Sequence, residues 1–144
     1  MSDTTIETTA LRNTPFFAEL PAEDLAAIAA VGRPASVAAG QTIVEEGDAA
    51  DGMYIVLQGE ARVDVGGRFH ILKAGDFFGE MALIAPSKRM ATVRAESDAD
   101  VLLIPAEGFQ SFLLDHPRVA VAMLKAIVLR LREVEQRIDA WMAT

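Results

Sequence analysis

QTIVEEGDAADGMYIVLQGEARVDVGGRFHILKAGDFFG, Gln41 to Gly79, is cut by glycine at positions 47, 52, 59, 66, 67, 75 and 79. Between the glycines lie short runs in which apolar and polar residues alternate. This is the texture of short antiparallel strands joined by tight turns, as in a sandwich or a barrel. MYIVL (53–57) and ARVDV (61–65) are the clearest strands, and VGGR (65–68) places glycine where a hairpin turn needs positive φ. Further on, ATVRAESDADVLLIP (91–105) reads as two more strands around an acidic turn.

The flanks have a different period. LRNTPFFAELPAEDLAAIAAV (11–31) carries Leu11, Phe16, Phe17, Leu20, Leu25 and Ile28, and PAED has the acids of a helix start, so two short helices are expected. From Glu107 the pattern is helical to the end, with EGFQSFLLDH as a short helix and a long one opening at Pro117. In the long helix Leu124, Ile127, Leu131, Val134, Ile138 and Trp141 are spaced alternately by three and four, a narrow seam. The protein's own barrel or the same helix of a second chain would cover that seam, and the sequence leaves the two open.

Composition bounds the function. The chain has 144 residues, enough for one compact domain, with 51% hydrophobic and 24% charged residues. Only SDTTIETTA, at the start, reads as a loose end. There is no cysteine, so disulfides and thiolate metal sites are excluded. No apolar run has the length of a membrane span, and a cytoplasmic address is expected. The net charge of −8 argues against DNA as a partner, because a duplex binder needs a concentrated positive face. RLREVEQR (130–137) interrupts its arginines with glutamates, as on a solvated helix face.

FGEMALIAPSKRMATV (78–93) sets Glu80 and Arg89 in a run that is otherwise mostly apolar or small. A turn that starts at Gly79 and runs through Met81, Ala82 and Leu83 would present free N–H groups to an anion. The guanidinium of Arg89 would complete a phosphate clamp. The Glu80 carboxylate would then accept from the hydroxyl of a sugar beside that phosphate, which together describe a nucleotide. Gly79 and Ala91 would let the backbone approach it closely. A mutual Glu80–Arg89 ion pair is the simpler alternative. The apolar surroundings weigh against it, since unmatched charge is expensive there.

These residues resemble the cyclic-nucleotide-binding domain shared by the catabolite activator protein, the regulatory subunits of cAMP-dependent kinase and cyclic-nucleotide-gated channels. The glycine framework, LKAGDFFGEMALI and KRMATVRAE carry the resemblance, and its phosphate-binding cassette falls on Phe78, Gly79, Glu80, Met81, Ala82, Leu83 and Arg89. The resemblance implies a mostly β fold with flanking helices: an antiparallel, jelly-roll-like β-roll of about eight strands. Its boundaries would be a flexible start (1–10), N-terminal helices (11–35), the roll (36–106) with its cassette (78–92), and a hinge with lid or dimerisation helices (107–144).

By the same resemblance Arg89 would bind the cyclic phosphate and Glu80 the ribose 2′-OH. The N–H groups of Ala82 and Ala91 would add phosphate contacts. Val63 and His70 lie on strands that could line the base, although His70 also fits a half-buried strand residue with no ligand role. Met90 stands where cGMP-binding members commonly carry Thr, so cAMP is the expected ligand and cGMP the second choice. Trp141 is the candidate lid over the purine, with Arg130 or Arg132 as weaker candidates, although an aromatic in such a seam more often packs than caps a ligand.

Catabolite-activator relatives continue into a helix-turn-helix where this chain stops. The output would then pass through the last helix to a separate effector protein, with a homodimer through that helix as one form. The expected function is a cyclic-nucleotide sensor, not an enzyme, with no catalytic cofactor and no metal. A cupin-like metal enzyme would need clustered histidines, whereas His70 and His116 are far apart. A degenerate β-roll that binds only proteins is the alternative.

Overall fold

The computed structural model of the chain describes residues 9–14, 17–85 and 87–143, with side chains described through residue 139. Residues 9–12 close a helical turn, and α1 spans Ala22–Val31 with Glu23 and Asp24 in its first turn, where the helix dipole favours acids. Eight strands follow: β1 (Arg33–Val37), β2 (Thr42–Val44), β3 (Gly52–Gln58), β4 (Ala61–Val65), β5 (Arg68–Leu72), β6 (Phe77–Phe78), β7 (Thr92–Ala95) and β8 (Ala99–Pro105). A short 3₁₀ turn, Glu80–Leu83, separates β6 from β7, and two helices end the chain: α2 (Phe109–Asp115) and α3 (Pro117–Ala143).

The strands form two four-stranded sheets, ordered β1-β8-β3-β6 and β2-β7-β4-β5. All their pairings are antiparallel. The β4–β5 hairpin turns on Gly66 and Gly67, both at positive φ, in register Val65↔Arg68.

β3 is the spine, because it is covered on both faces. Its side chains alternate, so Met53, Ile55 and Leu57 pack under the helices while Val56 and Tyr54 turn into the space between the sheets. The helical layer brings Leu11, Phe17, Leu25 and Ile28 from the N-terminal side and Phe109, Val119 and Met123 from α2 and α3. Burial of each such side chain stabilises the fold by about 1.5–3 kcal/mol. The second cluster, Val44, Val56, Ala61, Val63, Leu72 and Val93, fills the roll and reaches Phe78 and Ala91 beside the cassette.

α3 is fastened at its base. Arg118 donates from Nε to Oδ2 of the buried Asp24 (2.9 Å) and from Nη2 to Glu23 Oε1 (2.8 Å), and His116 Nδ1 lies 3.5 Å from Asp24 Oδ1. The hydrogen bond to Asp24, with its charge, raises the Arg118 pKa further above its ordinary value. The barrel covers Val119 and Met123, and beyond them α3 runs exposed. The seam foreseen on this helix is therefore not covered by the protein's own roll: Leu124, Ile127, Leu131, Val134 and Ile138 are all exposed.

Candidate functional site

Arg89 sits on a strap laid across the roll just before β7. Its N–H donates to Asp48 O (2.7 Å), its carbonyl accepts from Gly47 N (2.9 Å), and Ala50 N donates to Ser87 O (2.9 Å). These bonds, with the Ala49↔Lys88 bridge, pin the backbone of 87–89 against the loop that leads into β3. The Arg89 side chain is only 6% exposed, and its Nη2 donates to Asp51 Oδ1 at 2.8 Å. Its Nη1 is buried without a hydrogen-bond partner. A buried charged donor left unpaired costs more than the 1–3 kcal/mol of a neutral one. The arrangement is that of a cation held ready for an anion.

Gly79 makes this position available. It has φ of +79°, and a Cβ built there would lie 2.2 Å from Arg89 Nη1. The close approach that demands glycine is thus made by the arginine of the same site, where the sequence had suggested a ligand. Gly79 also caps the 3₁₀ turn, in which Ala82 N–H donates to Gly79 O at 3.2 Å.

β6 sets the cassette through its pairing with β3, Tyr54↔Phe78 and Ile55↔Phe77. The Tyr54 and Phe78 rings stack at 5.1 Å, and the Arg89 guanidinium carbon lies 5.5 Å from the Tyr54 ring centroid. Burial, then the charge of Asp51, pushes the Tyr54 phenol above its ordinary value, while Arg89 opposes the shift.

Glu80 does not pair with Arg89, so the simpler alternative fails: each finds another partner. Arg130, from α3, donates through Nη1 to Glu80 Oε1 and lays its guanidinium over the Phe77 ring, 4.1 Å from the centroid. Asp51 and Phe77 are site residues that motif spacing missed, and Arg130, foreseen as a weaker candidate for the lid, is found on Glu80 and Phe77. Asp51 lies 38 residues from Arg89, and Arg130 lies 50 from Glu80, so only the fold joins them.

The cavity between these groups measures about 230 Å³ and is lined by Val44, Val63, Phe78, Gly79, Glu80, Met81, Ala82, Arg89, Met90, Ala91 and Val93, among others. Of the foreseen residues, His70 and the cassette's Leu83, which packs in the core under the helices, are not part of that lining. His70, paired with Val63 across β4–β5, shares the face of Val63 and Leu72 but lies on the edge strand β5, where it is exposed and does not line the cavity. Its expected half-burial is corrected accordingly. The side chain of Trp141 lies outside the described residues. A larger groove of about 770 Å³ runs along α3 past Glu19, Arg118 and Arg130, but Arg118 and Arg130 are already paired with carboxylates.

Among the described residues no group of His, Cys, Asp or Glu is placed to hold a metal, and no helix is long and apolar enough to cross a membrane. A buried guanidinium and a carboxylate that both line a small apolar cavity suit an anionic ligand that also carries a hydroxyl.

Comparison with known proteins agrees with that chemistry. The model of the cyclic nucleotide-binding domain matches residues 34–116. The chain belongs to this family, as a cyclic nucleotide-binding domain of the catabolite activator and cAMP-dependent kinase regulatory type. An uncharacterized NTE family protein of Mycobacterium tuberculosis is 37% identical over 127 residues, 87% of this chain and 22% of the relative. This chain thus spans about a fifth of the length of that relative. The crystal structure of Thermus thermophilus catabolite activator protein aligns with TM-score 0.79 and 26% identity, covering 90% of this chain and 63% of that one. The regulatory domain of Toxoplasma gondii PKA, solved with cAMP, aligns with TM-score 0.70 and 25% identity, covering 87% and 50%.

Proposed function

We propose that the chain is a cyclic-nucleotide sensor that prefers cAMP to cGMP and reports its occupancy through α3 to a separate effector protein in the cytoplasm, without catalysing a reaction. The observation that carries this reading is the unpartnered Nη1 of Arg89, buried at the cavity. A cyclic phosphate brings two exocyclic oxygens to that nitrogen and relieves its desolvation. Glu80 would accept from the ribose 2′-OH, and Val63, Met81 and Met90 offer the purine an apolar wall. The thioether of Met90 is only a weak acceptor for the polar edge of guanine, which favours adenine.

α3 takes part because Arg130 already holds Glu80. A ribose hydroxyl competes for the same carboxylate, so the ligand makes different contacts with the two positions of the helix, the requirement for a population shift. A homodimer through the exposed face of α3 is the form in which the output could be organised. The same Arg130–Glu80 contact favours the alternative, a β-roll that binds only proteins, if it keeps the ribose end permanently closed.

Calorimetric titration of nucleotide-free protein with cAMP, cGMP and 5′-AMP decides between them. The sensor gives saturable heat with cAMP, weaker binding of cGMP and none with 5′-AMP in the same range. Absence of heat and of thermal stabilisation with all three leaves the protein-binding roll.

A further inference from the structure

A sheet edge without a neighbour presents unpaired N–H and C=O groups, and folds blunt such edges with proline, bulges or short strands. Among the described residues three of the four edges are blunted in this way. β1 carries Pro34, β6 has two residues, and β2 has three with a register shift between Thr42 and Val44. β5 is left plain: its five residues, RFHIL, contain no proline and keep an unbroken register with β4, from Ala61↔Leu72 to Val65↔Arg68. A two-residue hairpin closes on a hydrogen-bonded pair, so Arg68, His70 and Leu72 turn their backbone groups to β4, while Phe69 and Ile71 turn theirs outward. The N–H of Lys73, next in that alternation, is taken by Asp76 Oδ2 at 2.8 Å. The free edge therefore rests on the backbone donors and acceptors of Phe69 and Ile71.

The side chains suit this edge to one kind of strand. On the outer face Phe69 is 56% exposed, and Arg62, itself paired with Asp64, lies over its ring at 3.9 Å, which holds the ring beside the edge. On the other face Arg68 and His70 are exposed and, among the described residues, neither is paired with a carboxylate. Lys73 follows, and no acid occurs between Asp64 and Asp76. The same groups turn away a second copy: symmetric antiparallel pairing of two β5 strands about His70 gathers two guanidiniums and two imidazoles on one face, with no carboxylate among them. We propose that β5 is a docking edge for an acidic extended segment of another protein, which adds a fifth strand to the sheet, antiparallel to β5. Its residues opposite Arg68 and His70 are acidic and those opposite Phe69, Ile71 and Leu72 are apolar, so from its N-terminus the segment reads apolar, apolar, acid, apolar, acid. Main-chain bonds supply the affinity and the two carboxylates the specificity. No residue of β5 lines the cavity at Arg89, so docking does not require a bound nucleotide.

The test uses the full chain, labelled for NMR, and the capped peptide Val-Val-Glu-Val-Glu. Saturable shifts and slowed hydrogen exchange are expected at the amides of Phe69 and Ile71, and the peptide Val-Val-Lys-Val-Lys is expected to bind about tenfold more weakly. Ile71→Pro removes an outward N–H and breaks no bond to β4, so it abolishes binding of the acidic peptide while the β4 amides exchange as slowly as before. Arg68→Glu leaves every backbone group in place and is expected to reverse the preference between the two peptides. Four results overturn the inference: both amides unprotected at millimolar peptide, equal binding of the two peptides, a preference unchanged in Arg68→Glu, or protection that grows with protein concentration alone, which marks a second copy as the occupant.

Discussion

The two ends of the cavity are built differently. The end at Arg89 belongs wholly to the roll: strap, loop and cassette turn position a guanidinium that keeps one nitrogen buried and unpaired. The end at Glu80 is shared with α3, whose Arg130 already occupies the carboxylate. One end has its desolvation met during folding and gains a partner when an anion arrives. The other must give up a partner first. On the proposed function, affinity would be concentrated at the first end, and the second would convert binding into a change of helix position.

The largest expected effect is a break of the first end. Arg89→Ala should weaken cAMP binding by about 2–5 kcal/mol, the loss of a buried charged pair. Thermal stability should hold, because the variant also removes an unsatisfied buried donor. Normal calorimetric binding by this variant would remove the phosphate end from the account. Gly79→Ala comes next. A left-handed φ costs an L-residue about 1–2 kcal/mol, and the added methyl collides with Arg89 Nη1. The expected outcome is a melting temperature lowered by several degrees together with weaker binding. A variant with unchanged melting and affinity would mean that Arg89 moves freely aside.

Arg130→Ala sharpens the contrast because its sign is opposite. Removing the competitor for Glu80 should tighten cAMP binding by less than about 1 kcal/mol, since the pair is partly exposed. Weaker binding would instead make Arg130 a support of Glu80 in the bound state. The smallest effect concerns Tyr54, beside the first end. Its phenol is raised above 10.0, so the folded chain holds a proton that the unfolded chain releases. The stabilisation is complete below pH about 10 and is lost as pH rises through the folded value. Melting curves between pH 8 and 11 should fall less steeply for Tyr54→Phe.

The same division explains what could be read in advance. The roll was legible because each strand carries its own signal: glycine at the turns, β-branched residues between them, and MYIVL and ARVDV within two residues of the observed β3 and β4. Arg89 and Glu80 were legible because the cassette is local and its chemistry unusual for so apolar a run. Their true partners were not. Asp51 comes from a loop and looks no different in sequence from any other surface charge, and Arg130, foreseen only as a weak lid candidate, is brought to Glu80 by tertiary packing. His70 was misplaced for a complementary reason: it shares the face of its partner Val63, but β5 is the edge of its sheet, and the order of strands is not written in any one of them. The seam of α3 was correctly spaced, but its exposure follows from the face on which Val119 and Met123 meet the roll.

The fastening of Arg118 to Asp24 gives α3 a fulcrum. Arg130 lies twelve residues further along, about 18 Å, and the helix continues for a further thirteen, about 20 Å. A tilt about the fastened base that lifts Arg130 from Glu80 is roughly doubled at the far end. On the proposed function the protein would work as a lever with a mechanical advantage of distance, in which a displacement the size of one hydrogen-bonded contact becomes one large enough for another molecule to notice.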